Sequence, residues 1–266
     1  MKFTLEQNAA DSLRRSVGYF AENTPSGLKA SIKELVSALE LFLKYQLSQL
    51  DLNPSFPVLV YEDFLIKVSG TPRQYVLEPR GDKTVTFDKA IERLGWLGSP
   101  IGKPDVAMLN QLKRIRNELE HFEVDQPPVL VRSTFSAVVG FVIRYLHVYL
   151  NLSFYNIVDG EEWRNALLVE PSLRSLAEKS AREIYKTLIT AEHRAIGVSK
   201  CVKCGADCMI SDKGYYDGFR CVVCGFRHDI EECHSCKEVF FLDLLSAEEG
   251  DTLLCDYCHK NAWMGE

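Results

Sequence analysis

The chain has 266 residues, enough for one large domain or two smaller ones, and its 46% apolar content allows a sizeable core. The net charge of −6 is uneven: residues 1–195 carry 24 basic and 24 acidic side chains, residues 196–266 carry 7 and 13, so global charge cannot steer the protein toward nucleic acid and a local patch must do so. Arg144 and His147 interrupt the most apolar stretch, Phe135 to Leu150, and Met1 to Gln7 lacks the apolar core of a signal peptide, so the expectation is a cytoplasmic protein without a membrane span.

Residues 4–22 read as an amphipathic helix, with Leu5, Ala9, Leu13, Val17 and Phe20 spaced by three or four. Thr24-Pro25-Ser26-Gly27 breaks it, and a second helix runs to about Gln49 on Leu28, Ile32, Leu35, Leu39, Phe42 and Leu43. Residues 51–85 are punctuated by proline and glycine around short β-rich pieces such as Val58-Leu59-Val60-Tyr61, the pattern of an inserted loop or small hairpin. Helical pattern resumes over Phe87 to Leu94. A further helix opens at Pro104, a favourable first residue, and stops before Pro127-Pro128, with Met108, Leu112, Ile115, Leu119 and Phe122 as its core stripe. Helices over about 129–152 and 172–191 follow. The expected fold is mainly α: an up-and-down bundle over 1–155 with the 51–85 insertion, then a helical connector over 156–196.

The fourth of these helices carries Arg116-Asn117-Glu118-Leu119-Glu120-His121. An arginine can hold a phosphate by two parallel hydrogen bonds, and a histidine can move a proton near neutral pH. Together they are the minimum needed to cut an RNA backbone without a metal ion. At about 100° per residue, Arg116 and His121 diverge by about 140° around the helix. One small substrate atom cannot easily touch both from a single helix, so the geometry favours a site at a symmetric dimer interface. The plainer reading is that Arg116 and Glu120 form a surface i,i+4 ion pair and that His121 complements the helix dipole.

The run resembles the Arg-polar-x-x-x-His motif of the HEPN superfamily, many of whose members are ribonucleases. Leu39-Glu40-Leu41-Phe42-Leu43-Lys44 is similar to that family's acidic second-helix signature, and Phe87 to Leu94 to its preceding helix, so the resemblance covers about residues 1–155. It implies a helical bundle that pairs with a second copy to build a composite site. It also implies cleavage through RNA's own 2′-hydroxyl, with His121 moving the proton, Arg116 stabilising charge on the phosphorane and Asn117 orienting the phosphate or the histidine. The implied setting is a toxin–antitoxin or anti-phage defence system, with RNA as substrate and a homodimer as the working form. The alternative is a non-catalytic HEPN dimer acting as an adaptor that binds protein or RNA through its C-terminal part.

All nine cysteines fall between Cys201 and Cys258, and eight form four Cys-x-x-Cys pairs: Cys201/Cys204, Cys221/Cys224, Cys233/Cys236 and Cys255/Cys258. In a reducing compartment such clusters bind metal rather than form disulfides. Each pair aims two thiolates at one ion, and two pairs complete a tetrahedral site. Consecutive pairing predicts two zinc ribbons, over 197–228 and 229–266, with two structural zinc ions per chain and no catalytic metal. Interleaved pairing, as in a RING cross-brace, is the rival arrangement. The second ribbon is strongly acidic, which suits a protein partner, such as an antitoxin, better than RNA.

Overall fold

The computed structural model describes residues 3–51, 57–69, 74–121, 127–158 and 160–188, and in the C-terminal part 201, 203–204, 206, 209–211, 218–221, 223–232, 235 and 239–241. It is mainly helical, with eight helices and six short strands among the described residues. The chain divides into two compact units, Met1–Val138 and Val139–Glu266.

In the first unit, α1 (Leu5–Ala21) starts at a full capping box: Thr4 Oγ1 accepts from the Gln7 amide at 3.1 Å, and Gln7 Oε1 accepts from the Thr4 amide at 3.0 Å. α2 (Pro25–Gln49) is capped by Thr24 and has Pro25 at its first position. The link between them is tight. Asn23 takes a left-handed φ of 57°, and a Cβ at Gly27 would lie 2.6 Å from the Tyr19 carbonyl oxygen. The two helices therefore form a hairpin whose fully buried seam includes Leu13, Val17 and Phe20 against Ile32, Leu35 and Leu39. The buried Ser16 hydroxyl donates to the Ser31 carbonyl at 2.9 Å within this seam.

The insertion does form a hairpin, β1 (Phe64–Ser69) with β2 (Gln74–Pro79), antiparallel from Phe64 opposite Pro79 to Ser69 opposite Gln74. The segment expected to be β-rich at 58–61 is instead a turn that ends in an isolated bridge between Tyr61 and Thr84. Its anchor is Arg93 of α3 (Phe87–Trp96). That side chain is only 4% exposed, and it donates to the carbonyls of Leu59, Tyr61 and Glu62. Burial pushes the Arg93 pKa down, against the opposing charges of Asp63, Glu62 and Glu92. Lys44, also buried, reaches Glu40 at 2.6 Å and Thr84 Oγ1 at 3.0 Å, so it ties α2 to the exit of the insertion.

α4 (Lys103–His121) buries Leu109, Leu112 and Ile115 completely, while Met108 and Leu119 are half-buried. The inward stripe is thus centred on Leu109, one residue on from the expected Met108. Phe122 lies outside the described residues. α5 (Pro128–Tyr149) is long and apolar enough to cross a membrane by length and composition, but 67% of that stretch is buried inside the protein. Its apolar surface is used in packing: Phe135 stacks on Phe20 with ring centroids 3.9 Å apart and planes 5° from parallel.

In the second unit, α6 (Phe154–Ile157), α7 (Gly160–Val169) and α8 (Ser172–Leu188) follow the end of α5. A Cβ at Gly140 would meet Leu176 and Ser180 at 3.4 Å, and the Ser180 hydroxyl donates to the Gly140 carbonyl at 2.7 Å. The strands β3 (Met209–Ser211), β4 (Gly218–Cys221), β5 (Arg227–Glu232) and β6 (Val239–Phe241) form one antiparallel sheet in that order. β5 is continuous through residues 228 and 229 and pairs with both β4 and β6.

Candidate metal centre and cationic concavity

Two short turns bring four thiols together. In the first, the Cys201 amide donates to the Ala206 carbonyl at 2.9 Å; in the second, the Cys221 amide donates to the Phe226 carbonyl at 2.9 Å. The second turn is closed by the Gly225 amide on the Cys221 carbonyl at 2.9 Å, with Gly225 at φ +70°, a conformation that strains any residue with a Cβ. The amides of Val223 and Cys224 both point at Cys221 Sγ from 3.3 Å. Such amide donors stabilise a thiolate and fix its direction.

The sulfurs of Cys201, Cys204, Cys221 and Cys224 all lie within 4.8 Å of one another. Cys201 Sγ is 3.6 Å from Cys224 Sγ, and Cys204 Sγ is 3.5 Å from Cys221 Sγ. Four sulfurs at about 2.3 Å from a tetrahedral ion stand about 3.8 Å apart, so the donor set fits one four-coordinate metal ion. As thiolates these groups are penalised by their surroundings when no cation is near. Burial pushes Cys204 up to about 11, and the neighbouring Cys221 together with burial pushes Cys224 higher still. A bound cation removes that penalty by holding the thiolates.

The first and second Cys-x-x-Cys pairs are the ones that converge, whereas a cross-brace would join the first with the third. Cys233, Cys236, Cys255 and Cys258 lie outside the described residues. Helices tie down both turns of the described cluster. The buried Trp163 of α7 donates from Nε1 to the Val223 carbonyl at 2.9 Å, and Arg174 of α8 donates to the Cys204 carbonyl at 3.1 Å. Phe154 and Tyr155 pack edge-on against Trp163, with centroids at 5.1 and 6.4 Å.

The second candidate lies in the first unit. Arg116 projects from α4 into a concavity of about 370 Å³ shared with Lys29 and Lys33 of α2, Leu119 and Glu120. Arg116 Nη2 meets Glu120 Oε2 at 3.0 Å, and Lys33 Nζ stands 3.7 Å from Glu120 Oε1. Arg116 Nη1 donates to Asn117 Oδ1 at 3.1 Å, and Asn117 is exposed. Three cations thus line one concavity with a single carboxylate, a local excess that attracts an anion although residues 1–195 are neutral overall. His121 is the last residue of α4, and its side chain lies outside what the structure describes. The sequence alone does not single out Lys29 and Lys33 as site residues. Their i,i+4 spacing puts them on one face of α2, but nothing local shows that this face meets Arg116.

No protein-family model matches the chain. No curated protein and no solved structure matches it significantly either.

Proposed function

We propose that this chain is a HEPN-like, metal-independent endoribonuclease that cuts RNA at a site completed by a second copy of itself. The observation that carries the reading is the concavity in which Arg116 stands with Lys29 and Lys33, three cations whose charge suits a phosphodiester. In this reading the RNA 2′-oxygen attacks the adjacent phosphorus, and His121, of the same or the second copy, moves the proton. The bond to the 5′-oxygen breaks, that oxygen leaves as a hydroxyl, and a 2′,3′-cyclic phosphate remains. Arg116 neutralises charge on the phosphorane, and Asn117, which accepts a bond from Arg116, orients the phosphate or the histidine. The cysteine turns hold two structural zinc ions per chain, one of them at Cys201, Cys204, Cys221 and Cys224, and no metal takes part in cleavage. The setting is a cytoplasmic toxin or anti-phage defence system, with the acidic C-terminal part available to an antitoxin or other protein.

A second reading has a specific observation in its favour. Glu120 already pairs with both Arg116 and Lys33, as expected of a surface ion network on a non-catalytic adaptor. Incubating purified protein with total RNA separates the two. The ribonuclease reading expects cleavage with cyclic-phosphate ends that survives EDTA while the structural zinc is retained, and a loss of about two or more orders of magnitude in His121→Ala. Intact RNA with the wild-type protein would leave the adaptor.

A further inference from the structure

We infer that the groove between α6, α7 and the two cysteine turns is a binding site for single-stranded nucleic acid. It lies wholly in the second unit and uses none of Arg116, Asn117 or His121, so it stands whether or not the chain cuts RNA.

The groove encloses about 520 Å³. Four cationic side chains line it: Arg164 from α7, Lys203 from the first cysteine turn, Arg220 from β4 and Arg227 from β5. Among the described residues none that line it is acidic; Glu161 and Glu162, in the first turn of α7, are not part of its wall. A divalent ion on four thiolates leaves about two negative charges next door, fewer than the four cationic side chains that line the groove. Gly160, where α7 begins, also borders the groove, adding the partial positive charge of that helix end.

Charge alone would suit any anion. The aromatic faces narrow the choice. Lys203 Nζ lies 4.9 Å from the centre of the Phe226 ring, and Arg220 Cζ lies 6.0 Å from that of Tyr155, both rings lining the same groove. A cation next to a π-face occurs twice, matching a ligand that alternates phosphate with an unpaired base. A duplex keeps its bases stacked inside and cannot present them to these rings. An acidic peptide can meet the charges but has no regular π-surface to offer.

The test uses full-length, zinc-loaded protein and a fluorescein-labelled 2′-O-methyl RNA of about 12 nucleotides, a length within the usual span of such grooves. The probe has no 2′-hydroxyl, so cleavage at α4 cannot consume it. Fluorescence anisotropy should show binding that weakens with salt. The double variant Arg164→Glu with Arg227→Glu should bind at least tenfold more weakly, with metal content unchanged. Its salt slope should be shallower by about 1.4, about 0.7 for each phosphate no longer neutralised. Phe226→Leu should weaken binding several-fold. If the double variant loses metal, Arg164→Glu alone decides, because that residue is exposed on α7 and lies outside both cysteine turns in sequence. Wild-type affinity in that single or the double variant overturns the inference. So does equal competition by a blunt duplex or by poly-glutamate, and so does binding that Lys33→Glu abolishes while the groove variants keep it.

Discussion

Arg116 holds the Glu120 carboxylate at 3.0 Å, one turn further along α4, with Lys33 of α2 on the carboxylate's other oxygen at 3.7 Å. The Arg116 side chain is 37% exposed, so the pair contributes only a few tenths of a kcal/mol. That is too little to explain why three cations gather at one concavity, and little enough for a phosphate to displace.

Glu120→Gln removes the only carboxylate among the described residues lining that concavity. On the ribonuclease reading the variant should bind inorganic phosphate or RNA several-fold more tightly, and cleavage should not fall. Isothermal titration and a gel assay check this. A drop in cleavage would show that Glu120 positions Arg116 rather than screening it.

Arg116→Lys should lose cleavage by about one to two orders of magnitude despite keeping the charge, because an ammonium cannot form the two parallel bonds of the guanidinium. Circular dichroism should be unchanged, since the residue is on the flank of the helix and not in its buried stripe. Full activity in the lysine variant would reduce Arg116 to a source of positive field.

The full chain should sediment as a dimer at tens of micromolar, because Arg116 and His121 diverge by about 140° around α4 and a two-fold axis can reconcile them. Mixing Arg116→Ala with His121→Ala should then restore part of the activity through heterodimers that contain one intact composite site. A monomer in sedimentation, or no complementation, would argue against a shared site.

Metal analysis of protein purified without added zinc should find about two ions per chain. Cys221→Ser should release one of them, because its sulfur belongs to the described cluster and receives two amide donors. A single ion in the wild-type protein would leave the last four paired cysteines without a metal role.

Trp163→Phe keeps the ring packing against Phe154 but leaves the buried Val223 carbonyl without its donor. The loss should be about 1–3 kcal/mol. It should also speed zinc release to a chelator, since Val223 lies between Cys221 and Cys224 of the candidate metal cluster. An unchanged release rate would mean that α7 does not brace the cysteine turn.

Arg93→Met should destabilise the first unit by about 3 kcal/mol or more, because three carbonyls lose one shared donor in a buried site. Proteolysis should begin within residues 57–64. Thermal unfolding within a degree of the wild type would contradict this anchoring role.

What the sequence determined by itself is local. Helix starts were legible because Thr24 and Pro25 act on backbone groups within one turn of themselves, and helix faces because Leu13, Val17 and Phe20 repeat at helical spacing. The candidate metal ligands at Cys201, Cys204, Cys221 and Cys224 were legible because a Cys-x-x-Cys pair aims two sulfurs through a single turn, whatever lies around it. The register of the α4 stripe was less so: Met108 and Leu109 fit the periodicity about equally, and packing selects Leu109. Tertiary structure alone decided the charge neighbourhoods. Lys29 and Lys33 are more than eighty residues from Arg116, yet they share its concavity. Arg164 meets Lys203, Arg220 and Arg227 in a cationic groove within a segment that reads as acidic when its charges are only counted. An electrostatic potential depends on distances through space, and those are set by packing between elements rather than by order along the chain.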